Sequence, residues 1–122
     1  MRKLSSTNSE NREQLISNCP IITTFTQLGG RWKIKLLYCL RTGPRRYSEL
    51  KREVEIISEK MLSTQLKELV TDDWVIKKDY NTIPPHTEYS LSEKGVSFLP
   101  ILESVFIWGS ERREMAEKIQ TN

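Results

Sequence analysis

The chain has 122 residues, 37% hydrophobic and 8% aromatic, which suits one domain with a modest core that gains from self-association. Lys and Arg number 19 against 16 Asp and Glu, and the resulting net charge of +3 permits a nucleic-acid partner without the excess of a histone-like tail. Two cysteines without a CxxC, one histidine, no phosphate-cradling glycine motif and no apolar run of membrane-spanning length argue against a disulfide framework, a metal site, a cofactor, a catalytic triad and a membrane protein, and point to the reducing cytoplasm.

Residues 1–17 are polar, lack periodicity and contain no secretory apolar stretch, so they read as a flexible tail. The domain is expected over 18–119, with 120–122 as a C-terminal end. From Pro20 to Leu28 the apolar residues Ile21, Ile22, Phe25 and Leu28 fall at helical spacing, with Pro20 suited to the first turn and Gly29-Gly30 to the stop. A second helix, Arg31 to Arg41, places Trp32, Leu36, Leu37 and Leu40 inward and leaves Lys33 and Lys35 outside; Thr42-Gly43-Pro44 ends it.

Ser48 to Val54 forms a short amphipathic helix with Leu50 and Val54 inward, and Glu55-Ile56-Ile57 makes a three-residue turn. Ser58 then opens the next helix as an N-cap. Leu62, Leu66 and Leu69, supported by Met61 and Val70, form its inner face, while Lys60, Ser63, Thr64 and Lys67 recur on the outer one. Two short helices joined by a tight turn, the second with a polar, partly basic outer face, are what a helix-turn-helix lays into the DNA major groove. Trp74 to Tyr80 and His86 to Leu91 read as a hairpin around Asn81-Thr82-Ile83-Pro84-Pro85, a wing carrying Lys77 and Lys78 near its tip for phosphates or a minor groove.

Ser92 caps a last helical region, Glu93 to Ile119, which Pro100 should kink near its middle. Phe98, Leu102, Val105, Phe106 and Trp108 cover more than the single stripe a surface helix needs, so the surplus face is expected to meet another subunit. Two-fold pairing sets two recognition helices about 34 to 36 Å apart on a palindrome-like operator. The fold class is therefore mainly α with a small β-hairpin, a winged helix-turn-helix.

Cys19-Pro20, Gly30-Arg31-Trp32, Gly43 with Arg46-Tyr47 and Glu49-Leu50, Ile57-Ser58 with Met61-Leu62, Pro84-Pro85, Tyr89-Ser90-Leu91-Ser92-Glu93-Lys94-Gly95 and Trp108 occur in an order that resembles the HxlR-type family of bacterial winged helix-turn-helix transcriptional regulators. The resemblance covers about residues 19 to 109. It implies a homodimeric regulator, paired through its N- and C-terminal helices, which places Ile21, Ile22 and Phe25 beside Leu102, Val105, Phe106 and Trp108 at the interface. Double-stranded DNA is then met by Ser58, Lys60, Ser63, Thr64 and Lys67, with Lys77 and Lys78 on the wing. Arg45 and Arg46 serve either phosphates or pairing with Glu49 or Glu53.

The resemblance also implies that Cys19 is a candidate sensor of thiol-reactive or oxidative signals, the alternative being a packing role in the dimer seam. A helix start favours the reactive thiolate. Cys39 is expected to be buried and inert. Three departures stand out: Asp72-Asp73-Trp74 where the family commonly has Asp-Gly-Leu, His86 where it often has a basic residue, and Tyr47 in place of Phe, which brings a hydroxyl that needs a partner if buried. A winged-helix module that binds protein and a thiol-based redox protein are the competing readings; the lack of a neighbouring histidine or resolving cysteine argues against the second. The effector, the operator and the sign of regulation are not written in the sequence.

Overall fold

A computed structural model describes residues 18–121, with side chains through Lys118; the polar tail 1–17 and residue 122 lie outside the described residues. The first helix, α1 (Pro20–Gln27), belongs to one compact unit, and every later element belongs to a second. Within α1, Pro20 occupies the first turn, where its missing N–H costs nothing, and Thr24 and Thr26 donate their hydroxyls to the carbonyls of Pro20 and Ile22. Ile21 and Phe25 are exposed, and Ile22 is partly so.

The second unit runs α2 (Lys33–Cys39), a 3-10 turn (Leu40–Thr42), β1 (Arg45–Arg46), α3 (Tyr47–Glu53), α4 (Glu59–Thr71), β2 (Val75–Tyr80), β3 (His86–Leu91), α5 (Glu93–Ser97) and α6 (Leu99–Thr121). Leu36, Leu37 and Leu40 from the α2 region, Leu50 and Val54 from α3 and its end, Ile57, and Leu62, Leu66 and Leu69 from α4 are all sealed from water. Each apolar stripe expected from periodicity is thus the buried one, and removing these leucines from solvent is the main stabilising term of the three-helix core.

Two polar expectations fail on packing. Lys33, expected outside, is 6% exposed, and its ammonium lies 2.7 Å from Glu68 on α4. Its aliphatic stem fills space that the periodic pattern leaves to apolar side chains, and the charge is carried to a carboxylate that is itself half exposed. Met61, expected to support the leucine stripe, is exposed at the edge of that stripe and accepts a weak hydrogen bond from Gln65.

The sheet has three strands in the order β1-β3-β2, one more than the expected hairpin. Arg45 pairs with Tyr89 and Arg46 with Glu88, so β3 becomes the central strand and the wing is stitched to the entrance of α3. Between α4 and the wing, Asp73 takes the left-handed conformation (φ 65°) that glycine would otherwise supply, and the N–H groups of Asp73 and Trp74 close the helix onto the carbonyls of Val70 and Leu69. The turn expected to survive the Asp72-Asp73-Trp74 departure does so.

Ser92 caps α5 by accepting from the Gly95 N–H, and its own hydroxyl donates to the Asp73 carbonyl. Gly95 has no room for a side chain, since a Cβ there would stand 2.5 Å from the Trp74 carbonyl oxygen. The last helical region is two helices rather than one kinked rod. The break falls at Phe98, whose carbonyl accepts from Ile101 and Leu102, and Pro100 sits in the first turn of α6, where a proline lacks only a hydrogen bond that the helix start never makes. Leu102, expected at a subunit interface, is 3% exposed and belongs to the core instead.

Cys39 is buried as expected, and burial pushes its thiol up to about 11, helped by a hydrogen bond to the Glu53 carboxylate and by that group's charge. At pH 8 roughly one such thiol in a thousand is ionised. Cys39 is therefore expected to resist iodoacetamide in the native protein and to react once urea unfolds it, as read by mass spectrometry of labelled peptides. Lys33→Ala should cost about 2 kcal/mol in urea denaturation, whereas Lys35→Ala, on the exposed side of α2, should stay within about 0.5 kcal/mol of the parent.

Candidate nucleic-acid interface

The helix-turn-helix consists of α3, the turn 54–58 and α4. The Glu49 carboxylate accepts from the Arg46 N–H at 2.8 Å and so closes the start of α3. In the turn, Val54 and Ile57 point into the core and the Ile57 N–H donates to the Val54 carbonyl. Ser58 caps α4, accepting from the Met61 N–H at 3.1 Å. With the leucines fixing one side, Lys60, Ser63, Thr64 and Lys67 are all exposed on the other, as the sequence suggests.

The hydroxyls on this face are already oriented. Thr64 donates to the Lys60 carbonyl at 2.8 Å. Tyr47 at the start of α3 reaches across to α4, where its phenol donates to the Glu59 carbonyl at 3.1 Å and stands 3.0 Å from the Ser63 hydroxyl. The hydroxyl that tyrosine adds in place of phenylalanine thus has its partners on the recognition helix. Periodicity could not find this contact, because it joins residues 16 apart through the turn.

The wing presents its charges differently from the expectation. Lys77 and Lys78 lie in the middle of β2, opposite Tyr89 and Glu88, and not near the tip. Successive strand residues face opposite ways, so the two lysines do not act together. Lys77 joins Ser63, Lys67, Val70, Thr71 and Tyr89 around a cleft of about 420 Å³ between α4 and the sheet. Lys78 lies on the other side, 4.9 Å from the Tyr80 ring centre. The tip, Asn81 to Pro85, carries no charge, and Ile83 is fully exposed there. His86 stacks on Tyr80 with ring centres 4.5 Å apart and its Nδ1 lies 3.2 Å from the Thr82 hydroxyl, so it shapes the base of the wing loop.

The two arginines of β1 separate in role. Arg45 is spent inside the protein: its Nε donates to Glu53 at 3.1 Å, and its terminal nitrogens donate to the Thr42 hydroxyl and the Pro44 carbonyl. Arg46 is exposed and borders a second open groove of about 640 Å³ with Tyr47, Ser48 and the wing loop 82–87. Ser63, Lys67 and Lys77 thus converge on one cleft, Arg46 flanks the other, and Lys60 stands at the opposite end of the α4 face.

Cys19 is the N-cap residue of α1 and is half-buried. On α6, Val105, Phe106 and Trp108 are each half or more exposed, although Phe106 also stacks on Tyr38 of α2 at 5.1 Å. No described helix is long and apolar enough to cross a membrane.

A family model described as HxlR-like helix-turn-helix matches residues 27–117. MalR of Fusobacterium mortiferum is 46% identical over 94 residues, covering 76% of this chain and 89% of that protein. The HTH-type transcriptional regulator BH0655 of Halalkalibacterium halodurans is 44% identical over 95 residues, covering 77% and 84%. Among solved structures, the redox regulator HypR in its reduced form superposes with a TM-score of 0.76 at 36% identity, covering 82% of this chain and 99% of that one, and its oxidised form with 0.73 at 38%, covering 76% and 96%. The winged fold, the exposed face of α4 and these matches place the chain in the HxlR-like helix-turn-helix family of transcriptional regulators.

Proposed function

We propose that the protein regulates transcription by binding a palindrome-like operator as a homodimer, with α4 of each subunit in a major groove and the wing on the adjacent backbone. The observation that carries this reading is the face of α4. Lys60, Ser63, Thr64 and Lys67 are free toward solvent, while Leu62, Leu66 and Leu69 lock the helix from behind. Lysines at both ends of the face suit guanine edges or phosphates, and the cleft shared by Lys67 and Lys77 suits a backbone phosphate. Arg46 and Ser58 add contacts beside it, and Lys78 contributes charge from the outer face of the wing. Arg45 serves as the structural brace of β1.

The exposed apolar residues of α1 (Ile21, Ile22, Phe25) and of α6 (Val105, Phe106, Trp108) support pairing of two copies, since side chains of this size cluster at solvent only where something covers them. Ile101, Ile107 and Met115 extend the α6 surface. Cys19, at the head of α1, is the candidate sensor of thiol-reactive or oxidative signals, and the likeness to HypR, a redox regulator with oxidised and reduced forms, supports that role. The deeply buried Cys39 thiol leaves Cys19 as the accessible of the two.

Fluorescence anisotropy with duplex DNA from upstream of the protein's own gene, run across a salt series, tests the assignment. Lys60→Ala and Lys67→Ala are each expected to weaken binding and to reduce the slope of log K against log salt by about 0.9. Unchanged affinity and slope in both would remove α4 from the interface. Diamide is expected to lower operator affinity in the parent reversibly, with recovery in dithiothreitol, and to leave Cys19→Ser unaffected. An equal response in Cys19→Ser would move the sensor elsewhere.

A further inference from the structure

Tyr47 and Ser63 form a hydrogen-bond relay whose polarity can be worked out atom by atom. A phenol has one hydrogen to donate. The Glu59 carbonyl can only accept, so its 3.1 Å contact with the Tyr47 oxygen uses that hydrogen. The 3.0 Å link between Tyr47 and Ser63 is then made with the serine's hydrogen, donated to the phenolic oxygen. Ser63 is left with lone pairs alone on its exposed side. Thr64, one residue on, is in the same condition, since its hydroxyl hydrogen goes to the Lys60 carbonyl at 2.8 Å.

We propose that Ser63 reads the operator as a hydrogen-bond acceptor, selecting a base that offers an exocyclic amine in the major groove, and that Tyr47 is the positioning residue that fixes this polarity. The proposal rests on α4 being the recognition helix and deepens that reading. A free serine hydroxyl is ambiguous, because it can turn to donate to guanine O6 or N7, or to thymine O4, as readily as it accepts from adenine N6 or cytosine N4. With its hydrogen engaged by Tyr47, Ser63 keeps only the second choice.

The lysines bring the opposite chemistry. Lys60 and Lys67 have hydrogens only, which suit acceptors. The face therefore offers donors at its ends and acceptors at its middle, an arrangement that a solvated surface of the same composition would not hold. Phenylalanine at position 47, the commoner residue in the resemblance, would remove the relay and return the serine to ambiguity. The preference is accordingly a property of this chain rather than of every relative with a serine at that place.

The test uses the intact protein and a duplex selected by it from a randomised pool. Each adenine of that duplex is replaced in turn by purine and each cytosine by pyrimidin-2-one, which deletes one exocyclic amine at a time. Each purine is separately replaced by its 7-deaza analogue, which deletes one acceptor. In the parent, amine deletion at one position per half-site should weaken binding roughly three- to tenfold. Ser63→Ala should be insensitive at that position and keep the parent's salt slope. Tyr47→Phe should also keep the salt slope but lose most of the sensitivity there and tolerate thymine or guanine, a change of base preference that a structural role alone would not produce. Amine sensitivity that survives in Ser63→Ala overturns the assignment, as does Ser63-dependent sensitivity that maps to N7 and not to amines. A Tyr47→Phe profile identical to the parent's overturns the positioning role. Failure of the pool to yield an enriched duplex counts against sequence-specific binding itself, whereas an enriched duplex without a Ser63-dependent amine counts against this inference alone.

Discussion

Rotation of α4 about its own axis is set by Leu62, Leu66 and Leu69, and the outward direction of every polar side chain on that helix follows from it. The three residues recur over two helical turns, so their combined burial resists any turn of the helix that would bring Ser63 or Thr64 inward in exchange for a leucine. The ends are fixed separately. Ser58 anchors the first turn, and the left-handed Asp73 closes the last onto Leu69 and Val70. Lys33 adds a lateral tie from α2 to Glu68. A helix held at both ends, behind and at one side can present a fixed row of side chains, which recognition by a rigid element requires.

The wing is held in register with that helix by a very short strand. Only Arg45 and Arg46 pair with β3, yet they convert a free hairpin, which would be marginal alone, into a sheet whose central strand is continuous with the rest of the second unit. Arg45 secures the strand to α3 through Glu53, and Glu53 in turn receives the Cys39 thiol from α2. Beyond the sheet, Ser92 and Gly95 pack the start of α5 against the Trp74 carbonyl region, with no space for a larger residue. The spacing between Lys67 on α4 and Lys77 on β2 therefore depends on contacts made well away from either lysine.

Much of this architecture is legible in the sequence because it rests on local rules. Leucine spacing, the Ser58 and Ser92 caps, the Pro84-Pro85 loop and the tolerance of aspartate for a left-handed turn each act within a few residues. What is not legible depends on contacts across the chain. A two-residue strand made of arginines carries no alternation to detect, and β1 exists only because β3 offers it a partner. Lys33 reads as polar and hence external, but its burial needs a carboxylate 35 positions away. Leu102 looks the same as its exposed neighbours on α6 until the core is assembled beneath it. Lys77 and Lys78 are adjacent in sequence and opposed in space, a consequence of strand geometry that a count of positive charges overlooks. The role of Tyr47 was visible only as a question, a hydroxyl in search of a partner, and the answer lay 16 residues away.

A net charge of +3 sets the terms on which such a protein can find its site. α4 itself carries Glu59 and Glu68 alongside Lys60 and Lys67, so its own field is nearly balanced, and non-specific attraction to a phosphate backbone is correspondingly modest. A strongly basic domain spends much of its affinity on any duplex, whereas a nearly neutral one gains relatively more from contacts that distinguish bases. Oriented hydroxyls on α4 are contacts of that kind, because they add discrimination without adding charge. Two copies on a palindrome-like operator would then multiply a selective but weak half-site interaction, since the second half-site is met at high effective concentration once the first is bound. In this scheme the exposed apolar faces of α1 and α6 are as necessary to recognition as the lysines. A change that altered the separation of the two subunits would release the operator without touching a single base contact.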